Sequence, residues 1–305
     1  MRSIIMMSAK VEALGKKIIH FGEEMDFFPE RIRQLLESDW TNPEVLEFLL
    51  AASEICRILV KSPADFEMLE LVYFGCSPRG NVASNGVDKW LAASLSGQAL
   101  RDRLRVVSAW TAEHVMAALK EGQHFTVLDL GAGPAPYAFE TLQGIAPQAL
   151  KDLKWKCVDI DAFALAEGAK RARQQGLDGV LEFKRMDFLS LRNAPDSDDT
   201  KADFGLLVGI LCGMTPEEAV SCLIKIKPFF RSGAELIVPT LLNRAFEEDA
   251  RVFRVLCNVL GWQLKPKSLD EVREVFVSAD YHVNSIFSER ADGNGQYAIV
   301  HATIV

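Results

Sequence analysis

A buried apolar stretch that runs into a glycine-marked turn constrains this chain more than any other feature. It reads Phe-Thr-Val-Leu-Asp-Leu from Phe125 to Leu130, followed by Gly-Ala-Gly-Pro-Ala-Pro up to Pro136. An apolar run of this length predicts a buried strand. Gly131 can adopt backbone angles that other residues avoid, and Gly133 lets the main chain approach a ligand closely. Because a helical pattern follows, the segment predicts a strand, turn and helix that cradle a nucleotide-like ligand.

The end of this turn differs from the usual dinucleotide-binding loop. A Rossmann fingerprint reads Gly-x-Gly-x-x-Gly, and its third glycine allows the helix to pack closely on the strand. Here the third position is Pro136, which has no backbone N–H and a fixed φ. The sequence therefore disfavours a pyrophosphate-binding loop, although the first two glycines still permit a ligand to approach.

Predicted strands and helices alternate after Gly122. The strands are expected at 125–130, 155–159, 181–186, 203–209 and 234–239, and the helices at 137–145, 162–175, 216–228, 245–260 and 269–276. Ser268 is expected to cap the last of these helices. Such alternation predicts βαβ units and a parallel sheet covered by helices, an α/β fold. Two final strands, 282–287 and 296–304, are joined by a loop at 291–295 that has the composition of a hairpin.

The sequence predicts a helical domain over residues 1–104 and an α/β domain over residues 105–305. Apolar residues from about Val11 to Val72 keep helical spacing without strand-like alternation. Residues 76–86 are rich in turn formers and predict a loop, which is either a surface connector or a binding loop. A long helix is expected over about 96–119. The helical domain is expected to act as a lid over a substrate pocket or as a dimerisation surface.

Charge and cysteine content narrow the class of protein. The formal net charge of the 305 residues is −8, which makes nucleic acid an unlikely partner. The six cysteines include no Cys-x-x-Cys pair and do not cluster with histidines, so the sequence indicates neither a metal site nor a disulfide framework. This pattern is typical of a reducing cytosol. With no run of about 18 apolar residues, we expect a soluble, cytoplasmic protein that does not span a membrane.

Carboxylates that follow the later strands are candidate ligands for an adenosine group. Asp159 ends the second predicted strand, where a carboxylate can accept hydrogen bonds from both ribose hydroxyls. The alternative role is a helix N-cap, which suits Asp161 better. Asp187 follows the third strand and could accept a hydrogen bond from an adenine amine, or it could be an ordinary loop residue. Met186 and Phe188 offer apolar contacts to a ring.

Taken in order, these motifs resemble those of the class I S-adenosylmethionine-dependent methyltransferases. The similar segments are Val127–Gly133 for the first motif, Cys157–Asp161 for the second, Met186–Phe188 for the adenine-contacting motif, Ala202–Leu211 for the fourth strand and Lys227–Val238 for the turn into the fifth. In the last segment Arg-Ser-Gly at 231–233 replaces the usual Pro-Gly-Gly. The resemblance covers about 105–305. It implies a Rossmann-like, doubly wound, seven-stranded sheet with an antiparallel C-terminal hairpin, preceded by the helical domain.

The resemblance also implies where S-adenosyl-L-methionine would bind. The implied cofactor-binding residues are Asp129, Gly131, Gly133, Pro134, Asp159, Ile160, Met186, Asp187, Phe188 and Gly209. The glycine turn would lie beneath the methionine moiety, with Asp129 nearby. Asp159 would hold the ribose and Asp187 the adenine, while Gly209 would face the methionine end.

The chemistry of a sulfonium methyl group agrees with this reading. The methyl group is already activated, so an enzyme chiefly needs to align an incoming nucleophile with it, and no acid–base set is obligatory. We therefore assign no catalytic residue. His282 and His301 fall in the last two strands and are expected to be structural. Tyr137 could line the methyl site or pack at the helix start, and Cys212 is expected to be a buried thiol.

Two other functions remain open. A nicotinamide-dependent oxidoreductase is disfavoured by Pro136, by the absence of a Tyr-x-x-x-Lys pair and by the C-terminal hairpin. A non-catalytic member of the same fold could bind the cofactor or a partner without transferring methyl groups. For a methyltransferase, the acidic charge and the additional helices favour a small-molecule acceptor, with protein or RNA acceptors not excluded.

Overall fold

The computed structural model describes residues 27–62, 65–83, 85–190, 201–288 and 295–305. The helices are α1 (Glu30–Ser38), α2 (Pro43–Ala52), α3 (Glu54–Lys61), α4 (Phe66–Phe74), α5 (Gly86–Ala93), α6 (Leu95–Lys120), α7 (Pro136–Leu142), α8 (Ala162–Gln174), α9 (Pro216–Ile226), α10 (Arg244–Glu248), α11 (Ala250–Phe253) and α12 (Leu269–Ser278). The strands are β1 (Phe125–Leu130), β2 (Leu153–Asp159), β3 (Leu181–Arg185), β4 (Ala202–Leu207), β5 (Phe230–Leu241), β6 (Tyr281–Phe287) and β7 (Tyr297–Ile304). The helical start expected near Val11 and residues 291–294 of the expected hairpin loop lie outside the described residues.

The chain divides into two compact units. The first contains the chain up to Arg101 together with Phe246–Gln263, and the second contains Asp102–Ala245 and Leu264–Val305. Within the first unit, the buried carboxylate of Asp88 accepts hydrogen bonds from the Ser53 hydroxyl and from backbone N–H groups at the start of α3. The boundary expected at residues 104 and 105 remains a prediction.

The second unit is built on a seven-stranded sheet with the order β3-β2-β1-β4-β5-β7-β6. The first five strands are parallel, and β7 pairs in antiparallel fashion with both β5 and β6. The predicted α/β class, the seven strands and the antiparallel C-terminal pair are therefore confirmed. Because β1 lies between β2 and β4, the strand order reverses beside the carboxyl end of β1.

Both faces of this sheet are packed against helices. On one face, Leu130, Leu236 and Val300 belong to a buried core that also includes Leu223 of α9 and Phe276 of α12. On the other face, the ring of His114 in α6 lies 4.9 Å from the ring of Phe204 in β4, measured between centroids. Successive side chains along a strand point to opposite faces, so the sheet contributes to an apolar layer on each side.

Three local predictions need correction. The single helix expected over 245–260 is replaced by α10, α11 and a π-helical segment, Arg254–Val259. The turn expected at 231–233 lies inside β5, where Gly233 has φ 79° and the pairing with β4 is interrupted by a bulge. The helix α5 was not expected; it begins where the Asn85 side chain accepts a hydrogen bond from the backbone N–H of Asp88. Apolar periodicity does not encode any of these backbone details.

Two predicted helix starts are confirmed. The Asp161 carboxylate caps α8 by accepting hydrogen bonds from the backbone N–H groups of Phe163 and Ala164. Ser268 caps α12 in a capping box with Glu271. Among the residues that the structure describes, no helix combines the length and hydropathy needed to span a bilayer.

Candidate functional site

The turn after β1 has a backbone that only a few residue types tolerate. Gly131 and Gly133 have φ values of 75° and 55°, and Ala135 also adopts a left-handed conformation at 61°. The N–H groups of Gly131 and Ala132 both donate to the carbonyl of Val158 in β2, at 2.8 and 3.1 Å. These bonds fix the turn at the carboxyl ends of two adjacent strands.

Gly131 also lies very close to the segment that follows β4. A Cβ atom at this position would lie 2.6 Å from Cδ1 of Ile210, which follows β4. Such a distance is far shorter than a van der Waals contact. The absence of a side chain at Gly131 therefore allows the segment after β4 to pack against the turn after β1. Gly209, in the same segment, has φ 78°.

Asp159 lies at the carboxyl end of β2 and binds the turn directly. Its Oδ2 accepts a hydrogen bond from the N–H of Gly133 at 2.8 Å, and its Oδ1 accepts one from the N–H of Asp161 at 2.9 Å. Each carboxylate oxygen can accept more than one hydrogen bond. Acceptor capacity therefore remains on both oxygens for a further donor.

Ile160 is unusually exposed for an aliphatic residue beside this carboxylate. Its relative exposure is 61%, and Phe163 on the first turn of α8 is 37% exposed. Pro134, by contrast, is buried within the turn. The carboxyl end of β2 thus presents an apolar surface next to the hydrogen-bonding groups of Asp159.

Asp187 has a local role that the sequence left open. Its carboxylate accepts hydrogen bonds from the N–H groups of Leu189 and Ser190 and from the Ser190 hydroxyl. The hydrogen bond from the Ser190 side chain is the largest cause that lowers the pKa of this carboxyl. Phe188 is buried in the core, and Met186 packs against that core. Asp187 itself is exposed.

Asp129 is a buried carboxylate one residue before the end of β1. Its relative exposure is 1%, and its Oδ2 atom has no hydrogen-bond partner in the part of the chain that the structure describes. Burial raises the pKa of this carboxyl to about 7; the side chain of Trp155 opposes the rise, and the nearby charge of Asp159 acts in the same direction as burial. A buried polar atom without a partner is costly, so it marks a place where a ligand or an ordered water would be stabilising.

The segment after β4 is held by a lysine that sequence reasoning did not single out. Nζ of the buried Lys267 donates to the carbonyl groups of Leu211, Met214 and Lys265, at 2.8, 2.7 and 3.0 Å. The thiol of Cys212 is also buried, as expected, and burial raises its pKa. No motif marks Lys267, because two of its three partners, the carbonyl groups of Leu211 and Met214, are more than fifty positions away in the chain.

Tyr137 packs at the start of α7. Its hydroxyl accepts a hydrogen bond from Nε of Arg103 at 3.0 Å, and its side chain is 5% exposed. The guanidinium of Arg103, itself buried, also lies 5.0 Å from the ring centroid of Tyr297. Of the two roles left open for Tyr137, the packing role is therefore the one observed. The buried arginine was not foreseen, because it lies inside an amphipathic helix pattern.

Comparisons with known proteins place this geometry in context. No family model matches the chain, and no curated protein matches it by sequence. By structure it is similar to a possible exported protein from Bordetella parapertussis, with a TM-score of 0.65, 16% identity, and coverage of 90% of this chain and 93% of that chain. At this identity the similarity shows the fold alone.

Methyltransferases are also found among the similar structures, at lower TM-scores. One is an O-methyltransferase from neocarzinostatin biosynthesis, in complex with S-adenosyl-L-homocysteine and 1,4-dihydroxy-2-naphthoic acid (TM-score 0.45, 20% identity, 60% of this chain and 50% of that chain). Another is geranyl diphosphate methyltransferase in complex with S-adenosylmethionine (0.48, 15%, 71% and 90%). This chain thus spans about half the length of the first enzyme. The seven-stranded fold that the resemblance to class I methyltransferases implied is confirmed by the observed strand order, and similarities at these TM-scores carry no argument about activity.

Proposed function

We propose that this protein binds S-adenosyl-L-methionine at the turn after β1 and transfers its methyl group to a small-molecule acceptor. The observation that carries the proposal is the junction of Asp159 with the turn at Gly131–Gly133. The junction lies at the carboxyl ends of β1 and β2, next to the point where the strand order reverses. In open α/β sheets, ligands bind in the crevice outside the carboxyl ends of the strands at this switch point.

The residues present suit this cofactor. Asp159 has acceptor capacity for ribose hydroxyls, and Ile160 offers an exposed apolar surface beside it for the adenine ring. Gly131 and Gly133 present main chain without side chains to the methionine moiety. The partnerless Oδ2 of buried Asp129 supports a polar group near the end of β1. The proposed set of cofactor-binding residues also includes Met186, Asp187, Phe188 and Gly209.

The chain's own residues need only bind and orient for this reaction. Bound S-adenosylmethionine would supply an activated methyl group and a neutral thioether leaving group. Positioning the acceptor in line with that methyl group then accounts for much of the rate enhancement. The close contact between Ile210 and the Gly131 turn holds two walls of the site together. We assign no general base.

A small organic acceptor fits the charge of the chain. With a net charge of −8, long-range electrostatics disfavour a polyanion such as RNA. The free cysteines support a cytoplasmic location, because they are typical of a reducing compartment. We further propose that the N-terminal domain predicted over residues 1–104 shapes the acceptor pocket, and formation of a homodimer is its alternative role.

Calorimetric titration of the full chain with S-adenosylhomocysteine and, separately, with NAD tests the proposal. We expect a saturable isotherm with one S-adenosylhomocysteine per chain and no heat of binding with NAD. Binding of NAD without binding of S-adenosylhomocysteine would overturn the proposal in favour of an oxidoreductase. Transfer of a labelled methyl group to a panel of small hydroxylated or aminated compounds then separates an enzyme from a non-catalytic binder.

A further inference from the structure

Two histidines and a glutamate from three separate elements meet on the α6 face of the sheet. Nε2 of His114 in α6 lies 3.2 Å from Oε2 of Glu235 in β5, and Nε2 of His301 in β7 lies 3.1 Å from Oε1 of the same carboxylate. One ligand atom from each residue falls within 4.8 Å of the other two. All three side chains are partly buried. We refer to these residues as the His–Glu–His cluster.

A backbone carbonyl orients the ring of His114 from the side that faces away from Glu235. Its Nδ1 lies 2.7 Å from the carbonyl oxygen of Trp110, which can only accept a hydrogen bond, so Nδ1 carries a proton. When Nε2 carries none, its lone pair points towards an oxygen of Glu235 at 3.2 Å. Two such acceptor atoms are held together by a cation between them, and a metal ion can take the place of a second ring proton. A carbonyl bonded to the outer ring nitrogen in this way also orients most metal-bound histidines.

The spacing suits a small transition-metal ion. Zinc binds imidazole nitrogen and carboxylate oxygen at about 2.0–2.2 Å, so two ligand atoms of a tetrahedral ion are about 3.3 Å apart. The two His–Glu separations, 3.2 Å to one oxygen of Glu235 and 3.1 Å to the other, are close to this spacing. The ligand atoms of all three residues lie within 4.8 Å of one another, so a bound ion would draw the two imidazole rings closer together. Nitrogen and oxygen donors together favour zinc over magnesium or calcium, which prefer oxygen ligands.

We propose that the His–Glu–His cluster is a zinc site with two imidazole ligands, one carboxylate ligand and a fourth position for water. The proposal adds a metal to a protein whose sequence indicated none. The sequence could not show it, because residues 114, 235 and 301 have no ligand spacing along the chain.

The site lies apart from the proposed cofactor site. Glu235 pairs with Phe204 in β4, and Phe204 pairs with Val127 in β1, four residues before Gly131. At about 3.3 Å per residue, roughly 13 Å of strand separates the two levels of the sheet. The bound ion would therefore fasten α6 to β5 and β7 rather than take part in methyl transfer. Its expected effect is on stability, because a ligand that binds the folded chain alone raises the melting temperature.

Zinc titration of the metal-stripped full chain tests the proposal. We expect about one zinc per chain by elemental analysis, a higher Tm with zinc, and no response to magnesium. His301→Ala and Glu235→Gln should each weaken zinc binding at least about tenfold. Glu235→Gln keeps the size of a partly exposed side chain, so it decides the question if the histidine variant does not fold.

Two variants serve as matched controls. His124→Ala removes an exposed histidine that pairs with Asp152 at 3.1 Å and belongs to no three-residue ligand cluster in the described part of the chain. Cys76→Ser removes an exposed thiol. Both should bind zinc like the wild type. The proposal would be overturned if the wild type bound no zinc, or if Glu235→Gln and His301→Ala bound zinc as tightly as the wild type. Cobalt in place of zinc should give visible d–d bands without a thiolate charge-transfer band, and a strong thiolate band would also contradict it.

Discussion

Asp159 and Gly133 are joined by a hydrogen bond of 2.8 Å between a side-chain carboxylate and a backbone N–H. The bond connects the end of β2 to the turn after β1, so the residue proposed to hold the ribose also fixes the turn that is proposed to lie beneath the methionine moiety. Any substitution at Asp159 therefore acts on two parts of the proposed site at once. The first prediction separates these effects.

Asp159→Ala should weaken S-adenosylhomocysteine binding by about 1–3 kcal/mol, the range for removing a buried hydrogen-bonding partner. Asp159→Asn retains a carbonyl oxygen that can accept from Gly133 but loses the charge and one acceptor. We expect Asp159→Asn to bind more tightly than Asp159→Ala and more weakly than the wild type. Isothermal titration calorimetry measures all three affinities.

Asp161→Ala is the control for this pair. It removes the N-cap of α8, which should lower the free energy of unfolding by about 1 kcal/mol and leave the affinity nearly unchanged. If folded Asp159→Ala binds as tightly as the wild type, the ribose assignment is wrong.

Gly131→Ala should destabilise the protein for two additive reasons. A left-handed φ of 75° costs a non-glycine residue about 1–2 kcal/mol, and the new methyl group would lie 2.6 Å from Cδ1 of Ile210. Gly176→Ala is the matched control, because Gly176 has φ 69° and no heavy atom within 4 Å of the added Cβ. Urea unfolding should show a larger loss for Gly131→Ala than for Gly176→Ala.

The double variant Gly131→Ala/Ile210→Ala tests whether the close approach of Ile210 to Gly131 affects stability. Truncation of Ile210 removes the clash but not the backbone strain, so the two substitutions should be less destabilising together than the sum of the single effects. Strict additivity would mean that the contact between Gly131 and Ile210 does not matter to stability.

The sequence predicted the sheet well because its signal is local. The apolar run at 125–130 coincides with β1, and Asp161 and Ser268 cap the helices that they were expected to cap. Apolar periodicity and capping chemistry both act over a few residues, so one sequence is sufficient to read them. The strand order could not be predicted from these local signals. It was predicted from the resemblance of the ordered motifs to a known family.

What the sequence did not reveal depends on contacts between distant residues. Three contacts join segments that the fold alone brings together: the approach of Ile210 to Gly131, the bonds from Lys267 to the carbonyl groups of Leu211 and Met214, and the His–Glu–His cluster. Local propensity also failed at 245–260, where a π-helical segment has the same apolar pattern as an α-helix. The roles assigned to Asp187 and Gly209 stay predictions until a ligand is bound.

Lys267→Met should lower the free energy of unfolding by at least about 2 kcal/mol, because three carbonyl groups lose a charged donor in a buried place. Since these bonds hold the segment beside Ile210, we also expect weaker S-adenosylhomocysteine binding. Lys265→Met is the control: its side chain is 44% exposed and its carboxylate partner, Glu218, is 3.8 Å away. That change should stay within about 0.5 kcal/mol. Equal losses in the two variants would show that the carbonyl contacts contribute little.

The last prediction concerns the pH dependence that Asp129 gives to folding. Burial raises the pKa of this carboxyl to about 7 in the folded chain, from an ordinary value of 3.8. Between these two values the folded chain holds a proton that the unfolded chain has lost. The free energy of unfolding therefore falls as pH rises through this window and levels off above about pH 7. At about 1.4 kcal/mol for each pH unit, the whole fall amounts to at most about 4 kcal/mol.

Asp129→Asn removes this titration and keeps the shape of the side chain. Urea unfolding measured from about pH 4 to pH 8 should give a shallower fall for the variant than for the wild type. At pH 8 the variant should be the more stable protein, since the wild type must then bury an ionised carboxylate. At pH 4 the difference should be small, because the wild-type carboxyl is protonated in the folded state. Parallel curves for the two proteins would show that Asp129 is ionised throughout and that a buried partner stabilises its charge.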